Sequence, residues 1–242
     1  MTDRRAELAE SLEELEARIA AACRAAGRAR EEVRLIAVTK TFPAEDAALL
    51  ADLGVTDVGE NRDQEAGPKA AEVARLRPEA ALRWHMVGRL QRNKARSVVR
   101  WAHEVQSVDS PRLADALAKA MRAAKDAGER EGVLDVLIQA SIDDDPERGG
   151  CPLEELPALA ERVTHMGELR LRGLMAVAPL EADPAAAFER LAVAAERLRK
   201  DHPNATAVSA GMSHDLEQAI AHGSTCVRVG TALLGSRGLA SP

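Results

Sequence analysis

The chain of 242 residues is 46% hydrophobic and 30% charged, the balance of a globular protein with a substantial core rather than of a disordered one. Its formal charge of −6 argues against nucleic acid as the main partner, because phosphate backbones draw basic surfaces, although the arginine-rich stretch 88–100 gathers some positive charge. Cys23, Cys151 and Cys226 are scattered and form no CxxC pair, which argues against a disulfide framework and a structural zinc site.

Residues 1–30 read as a charged amphipathic helix, not a signal peptide, and no stretch is apolar enough to span a bilayer. The cytoplasm is the expected address. The chain has no tyrosine, so any mechanism needing a tyrosine base is closed to a single copy of it.

After that helix, short β-like runs alternate with helical patterns. The predicted strands are 34–40 (RLIAVTK), 56–60 (TDVGE), 83–88 (RWHMVG), 104–109 (EVQSVD), 133–142 (VLDVLIQASI), 169–179 (LRLRGLMAVAP), 206–212 (TAVSAGM) and 225–231 (TCVRVGT). Helical patterns occupy 43–54, 62–76, 92–102, 110–128 and 183–201. Eight strands alternating with helices predict a single-domain (β/α)8 barrel, with an open doubly wound sheet as the alternative. In a barrel, the polar residues at the strand ends converge on one rim.

Lys40 ends the first predicted strand. A lysine there either snorkels to solvent or, partly desolvated, serves as a nucleophile that forms a Schiff base with a carbonyl carbon. The other five lysines lie in helical or loop contexts that read as solvated. Ser213 precedes a helical pattern and reads as its N-cap, or as part of an anion site. The segment "GMSHD" has Asp215 where a nucleophile elbow needs glycine, which argues against a serine hydrolase.

Arg228 interrupts an apolar strand and needs a partner, either a structural ion pair or a ligand. Gly230 and Thr231 follow it at the strand end, where backbone N–H groups suit an anion. Lys40 and these two anion corners together describe a pocket for a phosphorylated carbonyl compound. Asn61 with Gln64 fits a capping box, and His85 fits a core histidine better than a catalyst, with no spacing that supports a metal.

The motifs "AVTK", "GEN" followed by "QE", "WHMVGRLQRNK", "LRGLMAVAP", "GMSHDLEQAIAHGST" and "VRVGTALLG" resemble those of the pyridoxal phosphate homeostasis proteins, relatives of the alanine racemase N-terminal domain. The resemblance runs from Leu35 to Gly235. It implies a TIM barrel of the alanine racemase N-terminal type with an extra N-terminal helix, binding pyridoxal 5′-phosphate (PLP) and buffering or delivering it. By position it implies Lys40 as the Schiff-base lysine, Ser213, Gly230 and Thr231 around the phosphate with Met212 beside them, Arg228 at the pyridine nitrogen, and Asn61 and His85 along the ring.

Arg62 and Leu234 depart from the family pattern, which usually has tyrosine and an aromatic there, and put the pocket edge in question. Arg228 would favour an unprotonated ring nitrogen and a weak electron sink, so the expectation is a carrier. A racemase-like enzyme and a Schiff-base aldolase are the alternatives. Apo-PLP enzymes are the expected recipients, and a monomer is expected over a dimer.

Overall fold

The computed structural model describes residues 3–143, 149–179 and 183–235. Its eight strands are β1 (Arg34–Val38), β2 (Asp57–Glu60), β3 (Arg83–Met86), β4 (Glu104–Val108), β5 (Leu134–Gln139), β6 (Leu169–Met175), β7 (Ala207–Ser209) and β8 (Cys226–Val229). Each pairs in parallel with its sequence neighbour, and β8 returns to β1 with Ile36 opposite Arg228, closing the barrel. Each lies within a predicted run, so the open-sheet alternative falls.

The helices are α1 (Arg4–Ala25), α2 (Ala44–Asp52), α3 (Asp63–Leu76), α4 (Ala95–Val98), α5 (Pro111–Asp126), α6 (Leu156–Thr164), α7 (Pro184–Asp201), α8 (Leu216–Ala221) and α9 (Thr231–Leu234). α5 shows why such segments coat a barrel. Leu113, Leu117, Met121 and Ala124 recur three or four residues apart and are all buried, while Pro111 opens the helix where no N–H is needed. Burying one leucine of this kind stabilises the fold by about 1.5–3 kcal/mol. At the start of α7 the Asp183 side chain accepts from Ala185 N at 3.0 Å, satisfying one orphan donor.

α1 buries Leu8, Leu15 and Ile19 and packs against α8 and α9. Its arginines reach farther: Arg4 Nη2 lies 2.8 Å from Asp46 Oδ2, and Arg18 Nη2 donates to Glu217 Oε2 at 2.9 Å. Among the described residues no helix is long and apolar enough to cross a membrane.

The barrel interior is unusually polar. Most small barrels fill it with branched aliphatics. Here Asp57, His85, Glu104, Gln106, Ser209 and Arg228 are all buried, each at most 5% exposed. Ser209 on β7 reaches Gln106 on β4, a contact possible only across the inside of the barrel.

Candidate functional site

A cavity of about 420 Å³ opens at the C-terminal ends of the strands, and Lys40, Asn61, Met212, Ser213, Arg228, Gly230 and Thr231 all line it. Seven of the predicted site residues therefore meet although they span most of the chain.

Lys40 stands two residues beyond β1, and the segment before it is firmly held. Thr39 N donates to Gly59 O at 3.0 Å, while Thr39 O accepts from Lys69 Nζ at 2.7 Å. The Thr39 hydroxyl donates to Glu60 Oε1 at 2.5 Å, and Lys69 Nζ donates to the same oxygen at 2.6 Å. Lys69 is thus buried in an ion pair, contrary to its reading as a solvated helix lysine. Thr41, immediately after Lys40, takes the left-handed conformation at φ 65°, a strained choice for a β-branched residue. A pinned residue on one side and a sharp turn on the other set where the Lys40 amine leaves the backbone. Lys40 itself is exposed at the cavity, as the snorkelling alternative of the sequence reading had it.

Arg228 lines the cavity and is buried, 5% exposed. Its Nη1 donates to Ser209 Oγ at 2.7 Å and its Nη2 to Ala176 O at 2.8 Å. Both acceptors are neutral, so the structural ion pair considered from sequence is absent among the described residues. Burial pulls the guanidinium down from its usual range, while Cys226 and Asp215 oppose that. Among the described residues no carboxylate lies within salt-bridge distance of it, and it borders a space able to hold a ligand.

Ser213 does not cap α8, whose N-cap is Asp215. A turn separates the two, and Ser213 Oγ instead accepts from Ala232 N at 3.2 Å, joining the β7 end to the start of α9. Asp215 is buried and accepts from Met212 N at 2.6 Å, which holds that turn. Gly211 lies at φ +94°, and a Cβ there would come 2.7 Å from that of Ala219. Asn61 also caps nothing: Arg62 is the N-cap of α3, and Asn61 faces the cavity. Gly88 lets the β3 end pass the β2 end, because its Cβ would sit 2.4 Å from the Asn61 carbonyl oxygen.

His85 is the correction. It is fully buried and lies outside the cavity, with Nε2 2.7 Å from Asp57 Oδ1 and Nδ1 3.0 Å from Glu104 Oε1. The reason is depth. His85 pairs in register with Gly59 inside the barrel, and it is Val87 and Gly88, further along the chain, that reach the rim.

Burial alone would raise both neighbouring carboxyls, but the histidine's hydrogen bonds and charge outweigh it. With further help from Arg34 and Gln106 the Glu104 carboxyl is held down to about 2, and Asp57 is lowered as well. Arg34 lies 3.4 Å from both Asp57 and Glu104, and Arg83 lies 3.5 Å from Glu104, sealing the barrel's N-terminal end with charge.

Several residues not singled out from sequence complete the site. Arg89, Gln139, Met175, Val177 and His214 also line the cavity. Gln139 ends β5 after the apolar run VLI, the same signal that marked Lys40. Among the described residues no cluster of His, Cys, Asp or Glu is placed to hold a metal.

Residues 11–238 match the family model described as alanine racemase, N-terminal domain. The chain is 49% identical to the pyridoxal phosphate homeostasis protein of Mycobacterium tuberculosis, over 99% of this chain and 96% of that protein. The chain belongs to the pyridoxal phosphate homeostasis protein family. The Escherichia coli K12 family member is 39% identical, over 96% of this chain and 97% of its own length. The structure of PipY from Synechococcus elongatus PCC7942, with PLP bound, superposes with a TM-score of 0.79 at 33% identity, over 94% of this chain and all of that one.

Neither of the two departures from the family pattern lines the cavity. Arg62 pairs with Glu65 at 3.1 Å and borders an adjoining cleft, while Leu234 is buried in α9 with its carbonyl accepting from Arg4.

Proposed function

We propose that this protein binds PLP in the 420 Å³ cavity, holds it on Lys40 as a Schiff base, and serves as an intracellular reservoir from which apo-enzymes draw the cofactor. The observation that carries this reading is the meeting of one lysine amine, one buried guanidinium held by neutral acceptors and two hydroxyl-bearing strand ends around one cavity. PLP supplies an aldehyde that condenses with a lysine amine, a phosphate dianion and a pyridine nitrogen. The donor set fits each. Lys40 would take the aldehyde and Arg228 the ring nitrogen, and Ser213, Gly230, Thr231 and the backbone beside Met212 would hold the phosphate.

Glu217, two residues beyond Asp215, pairs with Arg18, so its charge is directed away from that corner. A monomer suffices, because every residue used belongs to one chain. The exposure of Lys40 suits a site that must release its ligand as well as hold it.

The geometry favours storage over catalysis. Arginine cannot take the role of a carboxylate that keeps a ring nitrogen protonated, so a ring held beside Arg228 would be a weak electron sink. The chain also has no tyrosine to act as a second base.

Titration of the apo-protein tests the reading. PLP should bind saturably with a visible absorbance change. Pyridoxal, lacking the phosphate, should bind at least about a hundredfold more weakly, a loss of roughly 2.7 kcal/mol. Ser213→Ala should weaken PLP and leave pyridoxal nearly unchanged. Equal affinities for the two ligands would remove the phosphate site, and no saturable binding of PLP would remove the function.

A further inference from the structure

Behind Arg228 a single row of hydrogen bonds crosses the barrel. Arg228 Nη1 donates to Ser209 Oγ, Ser209 Oγ to Gln106 Oε1, and Gln106 Nε2 to Glu104 Oε1, each at 2.7 Å. His85 then meets the same Glu104 oxygen at 3.0 Å and Asp57 at 2.7 Å. The six residues come from β8, β7, β4, β3 and β2.

The row has a direction, and Glu104 fixes it. An ionised carboxylate only accepts, so the Gln106 amide must turn its N–H₂ toward Glu104 and its oxygen toward Ser209. The Ser209 hydroxyl then spends its proton on Gln106 and keeps its lone pairs for Arg228. Reversing the amide would set its oxygen against the carboxylate. Each link therefore depends on the next.

We propose that Ser209 and Gln106 are positioning residues that orient the Arg228 guanidinium at the cavity floor, with their polarity set by Glu104. A polar plug that served stability alone would not need to end on Arg228, the one buried cation that borders the cavity among the described residues. The consequence for bound PLP rests on the function proposed above; the orientation of Arg228 does not.

The test follows the guanidinium N–H signals of Arg228 by NMR in apo-protein carrying isotope-labelled arginine, assigned with Arg228→Lys. In Ser209→Ala and in Gln106→Leu, hydrogen exchange at Arg228 should accelerate by about tenfold or more, as expected for loss of one charge-assisted bond. Arg170, paired with Asp135, is the internal control and should not change. Ser209→Thr, which keeps a hydroxyl, should restore slow exchange. PLP affinity should fall by about tenfold in the two disruptive variants, with Lys40 still the residue labelled. Ser209→Ala, the smaller change, carries the test if Gln106→Leu does not fold. Arg228 exchange as slow in Ser209→Ala as in wild type would overturn the proposal. Accelerated exchange in a protein that takes up no PLP would uphold it while overturning the cofactor reading.

Discussion

Substituting alanine for Lys40 is expected to abolish reducible capture of PLP. The other lysines are placed where they cannot substitute. Lys69 is buried against Glu60 and the Thr39 carbonyl, so freeing its amine would leave a buried carboxylate unpaired, at a cost of about 3–5 kcal/mol. Lys94 borders the adjoining cleft rather than the cavity, and Lys119, Lys125 and Lys200 lie on α5 and α7 away from it. Ser213, Gly230 and Thr231, proposed above for the phosphate, and Arg228 remain in Lys40→Ala, so the variant should still bind PLP, reversibly and without the visible band of the lysine adduct. Borohydride treatment followed by dialysis should leave wild type labelled and the variant colourless. A variant that kept stoichiometric label would show that another amine reaches the cavity.

The second large effect concerns stability. In His85→Leu, Asp57 and Glu104 lose the group that meets both of them inside the barrel. Breaking a buried pair from one side costs about 3–5 kcal/mol. Arg34 and Arg83 also approach these carboxylates, which favours the lower end of that range. A loss of about 3 kcal/mol corresponds to a fall in Tm of roughly 6–12 °C for a chain of this size.

The pH dependence has a definite sign. Glu104 is lowered from an ordinary 4.5 to about 2, and Asp57 is lowered too, so their contribution is present above the ordinary carboxylate range and disappears as pH falls from about 4.5 toward 2. Wild type should lose stability across that window more steeply than His85→Leu. Denaturant unfolding of both proteins measures this; a difference at neutral pH below about 1 kcal/mol would mean the histidine is not the principal partner.

How far the sequence led depended on whether a feature was local. The strands were legible because each is a short apolar run bounded by turns and helices, and Lys40, Arg228 and Gly230–Thr231 were legible because they interrupt or end such runs. His85 sits in an equally clear strand, yet its depth in the barrel depends on registry with Gly59, which composition does not carry. Ser213 looked like a cap because it precedes a helical pattern, but the intervening turn moves that role to Asp215.

Lys69 looked solvated because its partner Glu60 lies on a strand end that folding brings over the helix. The row from Arg228 to Glu104 joins residues more than a hundred positions apart, so no local pattern could announce it. Only the alternation of Glu104 and Gln106 within β4 hinted that one face of that strand was polar.

The claim that Lys40 holds the cofactor is tested most directly by locating the bond. Wild-type protein loaded with PLP, reduced with borohydride and digested should carry the phosphopyridoxyl mass on one peptide, the one containing Lys40. The same label on a peptide containing Lys94 or Lys69 instead, or no label on any lysine, would contradict the account.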